Sequence, residues 1–178
     1  KYKGIVFSDT ALLTRFYEEH LPFPLTGAQK RVIKEIYADM KSGKQMNRLL
    51  QGDVGSGKTI VAFICMLLVI GSESQVALMA PTEILAQQHY ANLKKYADLM
   101  GLSISLLTGS TKKKARTELH YRLETGELKI LIGTHALIED GVKFNRLGLA
   151  VIDEQHRFGV AQRSKLWQKN KNVYPHVL

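Results

Sequence analysis

The chain is poor in cysteine, proline, tryptophan and acid: one Cys, four Pro, one Trp, and 16 Asp+Glu against 25 Lys+Arg. Each scarcity excludes something. With Cys65 alone, no disulfide can close within the chain, which fits a reducing compartment. Cys65 also sits inside an apolar run, a place for packing rather than for a catalytic thiol. That run, Ile60 to Ile70, is the longest of its kind and too short to span a bilayer, and no signal-peptide pattern opens the sequence. These absences point to the cytosol. No repeat, low-complexity tract or long flexible linker divides the 178 residues, 45% of which are hydrophobic. That is enough for one domain with a real core. The acid deficit leaves a net charge of +9, which suits a polyanion-binding surface and equally a basic soluble protein.

What is present centres on Gly52-Asp53-Val54-Gly55-Ser56-Gly57-Lys58-Thr59, which satisfies the phosphate-loop pattern G-x-x-x-x-G-K-[ST]. Glycines let the backbone wrap so that successive N–H groups face one anion. The helix that follows adds its N-terminal dipole, Lys58 reaches the β- and γ-phosphates, and the Thr59 hydroxyl ligates Mg²⁺. Met46 to Gln51 reads as a strand before the loop and Ile60 to Leu68 as a buried helix behind it.

Around this loop, strand and helix patterns alternate. A helix is expected over Ala11–His20, and Leu21-Pro22-Phe23-Pro24 breaks it. Thr26 opens a helix to about Ser42. Gln29, on its first turn, has an amide suited to an adenine edge, and is otherwise an ordinary surface glutamine. Gln75–Ala80 reads as a strand buried on both faces, followed by a helix that Thr82 caps. Ser103–Thr108 and Lys129–Gly133 are further strands, flanking a helix expected from Thr111 to about Thr125. Lys112, Lys113 and Lys114 crowd the first turn of that helix, with Arg116 after them. Cations there oppose the helix dipole, so either an anionic partner neutralises them or the end is simply solvated. Leu149–Ile152 then runs into Asp153-Glu154-Gln155-His156, placing two acids at the carboxyl edge of a parallel sheet. Asp153 would hold hydrated Mg²⁺ and Glu154 would polarise an attacking water. The pattern gives one α/β domain with a mostly parallel sheet and right-handed crossovers.

The segments Leu25–Gln29, Gly52–Thr59, Ala80–His89, Thr108–Ser110, Gly133–Leu137 and Asp153-Glu154-Gln155-His156-Arg157-Phe158-Gly159-Val160, in this order, closely resemble the first motor domain of superfamily-2 helicases. Within these, the resemblance is closest to the RecG-type ATP-dependent DNA helicases, bacterial enzymes that remodel stalled replication forks. It covers about residues 21–178, with 1–20 as a lead-in from an upstream domain. It implies a RecA-like P-loop NTPase fold with helices on both faces of the sheet, ATP and Mg²⁺ as cofactors, and Lys58, Asp153 and Glu154 as the catalytic set. Gln29 would read adenine. Pro81, Thr82, Gln87, Thr108, Gly109, Ser110, Thr134 and His135 would track a DNA backbone. The implied partner is branched or forked DNA, bound without sequence preference and away from any membrane, in a cytoplasmic, nucleoid-associated setting. A second motor domain with an arginine finger, and an N-terminal DNA-binding domain, are expected in a longer polypeptide.

The nearest alternatives are a transcription–repair coupling translocase and an RNA helicase. A nucleotide-controlled, non-catalytic nucleic-acid module is another, though it would have no use for Glu154. A small-molecule P-loop kinase would leave the Gly133-Thr134-His135 and Arg157-Phe158-Gly159 segments without a role.

Overall fold

A computed structural model describes residues 11–21, 24–41, 56–139, 141–152 and 176–177. In chain order these form α1 (Ala11–Glu19), α2 (Gly27–Lys41), α3 (Ser56–Gly71), β1 (Gln75–Met79), α4 (Glu83–Leu99), β2 (Ile104–Leu107), α5 (Lys113–Thr125) and β3 (Ile130–Gly133). A single 3-10 turn (His135–Ile138), β4 (Leu147–Ile152) and β5 (His176–Val177) complete them. The sheet order is β2-β3-β1-β4-β5 and every pairing is parallel. The expected α/β architecture is borne out.

β1 lies at the centre and is buried at all five positions, because both faces of the sheet are covered. Val76 and Leu78 point into a core shared with α1, α2, α3 and α4. Ala77 and Met79 point into a second core, made with α5 and the 3-10 turn. Helices therefore flank both faces, as the unbroken apolar run of β1 required.

α3 is buried nearly all round from Ile60 to Ile70, which explains a sequence without a polar stripe. α1 is seated on it through Phe16, which is fully buried. Its ring meets Phe63 edge-on at 5.1 Å and Tyr96 at 5.9 Å. The segment read from sequence as a lead-in thus packs its helix into the same core. Cys65 is buried in α3, and burial pushes its thiol up to about 12, so a nucleophilic thiolate is absent at neutral pH.

Gln75, at the start of β1, is 1% exposed and ties three distant segments together. Its amide donates to the carbonyls of Leu123 and Leu128, each at 2.8 Å, and its Oε1 accepts from Arg146 N–H at 2.9 Å. A buried amide with these partners satisfied costs little; with them missing it would cost about 1–3 kcal/mol per orphaned group.

The registers align the carboxyl ends of the central strands. Met79 pairs with both Gly133 and Ile152, and Leu107 pairs with Gly133. The segments that follow β1, β2 and β3 therefore leave the sheet from one edge, level with the end of β4 at Ile152. In a parallel sheet, that edge is where ligands bind.

Candidate nucleotide and nucleic-acid site

The first half of the phosphate loop, Gly52, Asp53, Val54 and Gly55, lies outside the described residues, as do Asp153 and Glu154. Its second half opens α3: Ser56, Gly57, Lys58 and Thr59 form the first turn, which contains no acidic residue. Thr59 is half-buried and Ile60 is fully buried, so the helix enters the core one residue after its expected Mg²⁺ ligand. α3 ends at Gly71, β1 starts at Gln75, and the two pack together. Helix and strand hence run in opposite directions, which brings the α3 N-terminus to the same sheet edge as the end of β1. A helix N-terminus there, with no acidic residue in its first turn, is suited to phosphate.

Gln29 forms a reciprocal cap at the start of α2. Its N–H donates to Thr26 Oγ1 at 3.1 Å, and its Oε1 accepts from Thr26 N–H at 2.9 Å. The T-x-x-Q spacing is a capping box. The side-chain oxygen so engaged retains a second lone pair, and the amide NH₂ is not used by this cap.

The segments after β1, β2 and β3 meet in one polar network. Thr82 caps α4, accepting from Leu85 N–H at 3.2 Å, with Pro81 half-buried before it and Gln87 exposed one turn on. Glu83, in the first turn of α4, accepts at Oε1 from Thr108 Oγ1 at 2.7 Å and from Ser110 Oγ. The hydroxyls of Ser110 and Thr108, in that order of influence, hold the Glu83 carboxyl below the usual carboxylate range. Thr108 is 3% exposed, and its N–H donates to Thr111 Oγ1 at 3.0 Å. Its carbonyl accepts from Arg116 Nη2 at 2.8 Å, while Arg116 Nη1 lies 3.5 Å from Glu139 Oε2. Arg116 so links the loop after β2 to the turn after β3. Gly109, between Thr108 and Ser110, has open space where a Cβ would stand. Thr134 caps the 3-10 turn and is buried, whereas His135 is exposed.

Among the residues expected to track a backbone, the structure brings Thr82, Thr108, Gly109 and Ser110 together around Glu83. Thr134 serves its own turn, and Gln87 and His135 present their side chains to solvent. Glu83, Arg116 and Glu139 did not figure among the expected site residues. The sequence singles out Thr82 as a helix cap and gives Glu83, beside it, no role. Arg116 was grouped with the lysines before it. α5 begins at Lys113 rather than at Thr111, so Lys112 is the N-cap, without a side-chain capping bond. Lys112, Lys113 and Lys114 are all exposed.

The DEAD/DEAH box helicase family model matches residues 26–176. A Synechocystis protein described as ATP-dependent DNA helicase RecG is 53% identical over 99% of this chain and 21% of its own length. The Bacillus subtilis protein of the same description is 56% identical over 97% of this chain and 25% of its own. The structure of RecG bound to a three-way DNA junction superposes with a TM-score of 0.87 at 42% identity, over 99% of this chain and 23% of that one. A DEAD-box helicase, Mss116, shares the fold alone, with a TM-score of 0.66 at 22% identity. This chain spans about a quarter or less of the length of the curated relatives named here. The resemblance to superfamily-2 helicases of the RecG type, drawn from motifs in order, holds across the family match, the identities and the superposition. On these grounds the chain belongs to the DEAD/DEAH box helicase family.

Proposed function

We propose that the chain is the ATP-binding lobe of an ATP-dependent DNA helicase that remodels branched DNA, such as stalled forks and recombination intermediates. The observation that carries this reading is the shared sheet edge. The segments after β1, β2 and β3 open there level with one another, and α3 directs its N-terminus to the same edge. The relatives at 53–56% identity, and a neighbour solved on a three-way junction, support DNA as the polyanion. A cytoplasmic place of action goes with a bacterial chromosome as substrate. Among the described residues no helix is long and apolar enough to cross a membrane.

The α3 N-terminus fits the nucleotide, having no acidic residue in its first turn and carrying Lys58 and Thr59 there. In this reading Gly52 to Thr59 hold the phosphates, Thr59 and Asp153 hold Mg²⁺, Gln29 selects adenine, and Glu154 orients a water. Bound ATP supplies the phosphoanhydride whose cleavage drives stepping. Pro81, Thr82, Gln87, Thr108–Ser110, Thr134 and His135 guide a backbone past that edge, with affinity and no sequence information.

The test is a competition among a three-way DNA junction, linear duplex and RNA of matched length, read by anisotropy. Preference for the junction is expected; preference for RNA would overturn the DNA assignment. Salt supplies a second measure. Replacing Lys112, Lys113 and Lys114 by Ala should flatten log K against log salt by up to about two units, since each neutralised single-strand phosphate contributes roughly 0.7. An unchanged slope would make these lysines a solvated helix end.

A further inference from the structure

We propose that Glu83 is an internal competitor for the phosphate of a bound polynucleotide, its carboxylate occupying the hydroxyls that the loop after β2 presents at the sheet edge. The proposal rests on the reading of that edge as the polynucleotide surface.

Proton counting leads to it. A hydroxyl has one hydrogen to donate. Thr108 gives its hydrogen to Glu83 Oε1 at 2.7 Å, and Ser110 gives its own to the same oxygen. The 3.1 Å contact between the two hydroxyl oxygens then carries no proton. The backbone N–H of Thr108 is already taken by Thr111 Oγ1. At these two hydroxyls an arriving phosphate therefore meets lone pairs backed by a carboxylate. Both of these repel it.

That carboxylate is ionised at neutral pH, because the two hydroxyls stabilise its charge. The cation of the network, Arg116, is directed to the Thr108 carbonyl and to Glu139. Thr108 is buried and held on both sides, whereas Ser110 is exposed. Ser110 is thus the hydroxyl that can turn. Binding exchanges one carboxylate–hydroxyl bond for one phosphate–hydroxyl bond of similar strength. Such an exchange gives a grip that is easily released, which suits a surface that must pass along a strand.

The test uses the 178-residue chain, a labelled single-stranded DNA oligonucleotide and anisotropy at low salt. Glu83→Gln keeps an acceptor but removes its charge, and should tighten binding about tenfold, the worth of one charge-assisted hydrogen bond. In the Ser110→Ala background most of that gain should vanish, since no hydroxyl is released. Glu83→Ala, checked for unchanged helical signal, should tighten binding as well. Equal tightening with and without Ser110 would reduce the effect to charge repulsion and overturn the proposal. Unchanged or weakened binding by both Glu83 variants would overturn it too, leaving Glu83 as a support for the loop. A chain that binds nucleotide but no DNA at any salt would instead overturn the underlying reading of the edge.

Discussion

Lys58→Ala should lower ATP affinity by about 10²–10⁴-fold. The ammonium supplies two charge-assisted hydrogen bonds to phosphate oxygens, each worth about 1.5–3 kcal/mol, and every 1.4 kcal/mol is about tenfold. Calorimetry against ATP–Mg²⁺ is the direct check, and equal affinity in both proteins would remove Lys58 from the site. The effect should be confined to binding. Lys58 lies in the first turn of α3, ahead of the buried stretch that begins at Ile60, and an unchanged Tm in the variant is the expected companion result. Gln29→Ala makes an instructive contrast. Its amide is also half of the α2 capping box, so the change removes a helix cap, worth about 1 kcal/mol, along with any contact to the base. The adenine-to-guanine affinity ratio isolates the second role, because the lost cap weakens both nucleotides alike.

Gly133→Ala should destabilise the fold by about 3 kcal/mol or more, the upper range for overpacking. A Cβ at Gly133 would stand 2.0 Å from the Leu107 carbonyl oxygen and 3.0 Å from Leu137 Cδ2. The first of these atoms is backbone and cannot swing aside as a side chain would. β2 and β3 must separate, or Gly133 must leave its register with Leu107 and Met79. Against a total stability of about 5–15 kcal/mol, such a loss is severe, and in a domain of this size it should lower Tm by about 6–12 °C. Gly109→Ala is the control: nothing stands within 4 Å of its would-be Cβ, and Tm should move by no more than a degree or two. Similar melting of the two variants would show that the sheet yields at Gly133 at little cost.

These two glycines show where sequence reading reaches its limit. Both lie in segments that a motif comparison assigns to backbone tracking, yet Gly133 is required by the spacing of two strands. Apolar runs exposed the strands well: Gln75–Ala80 and Lys129–Gly133 each came within a residue of β1 and β3. Their order was another matter. That β1 sits between β3 and β4 depends on contacts more than fifty residues apart, which no local period encodes. The convergence of Thr108 and Ser110 on Glu83 follows from that order, so a search for side chains with evident chemistry passed over the carboxylate. Phe16 was opaque for a similar reason. A short amphipathic helix ahead of a proline-rich break reads as a lead-in, and only the ring contacts with Phe63 and Tyr96 reveal its seat in the core. The nucleotide motif is the reverse case. Gly52–Gly55, Asp153 and Glu154 are plain in sequence and lie outside the described residues.

The Gln75 clasp has a consequence for the rates of folding and unfolding. Its three bonds join residues 48, 53 and 71 positions apart along the chain. Closing loops of that length is an entropic cost that must be met before any of the bonds can form. All three require α5, the segment before β3 and the segment before β4 to be docked already. The clasp is accordingly expected to form late, on the native side of the folding barrier, and a φ-value near zero for Gln75→Ala is the check. An interaction absent from the transition state leaves the folding rate nearly untouched and acts almost wholly on the unfolding rate. Gln75 therefore lengthens the lifetime of the assembled sheet more than it hastens its assembly. A single buried amide acts as a latch joining β1 to α5 and to the segments that lead into β3 and β4.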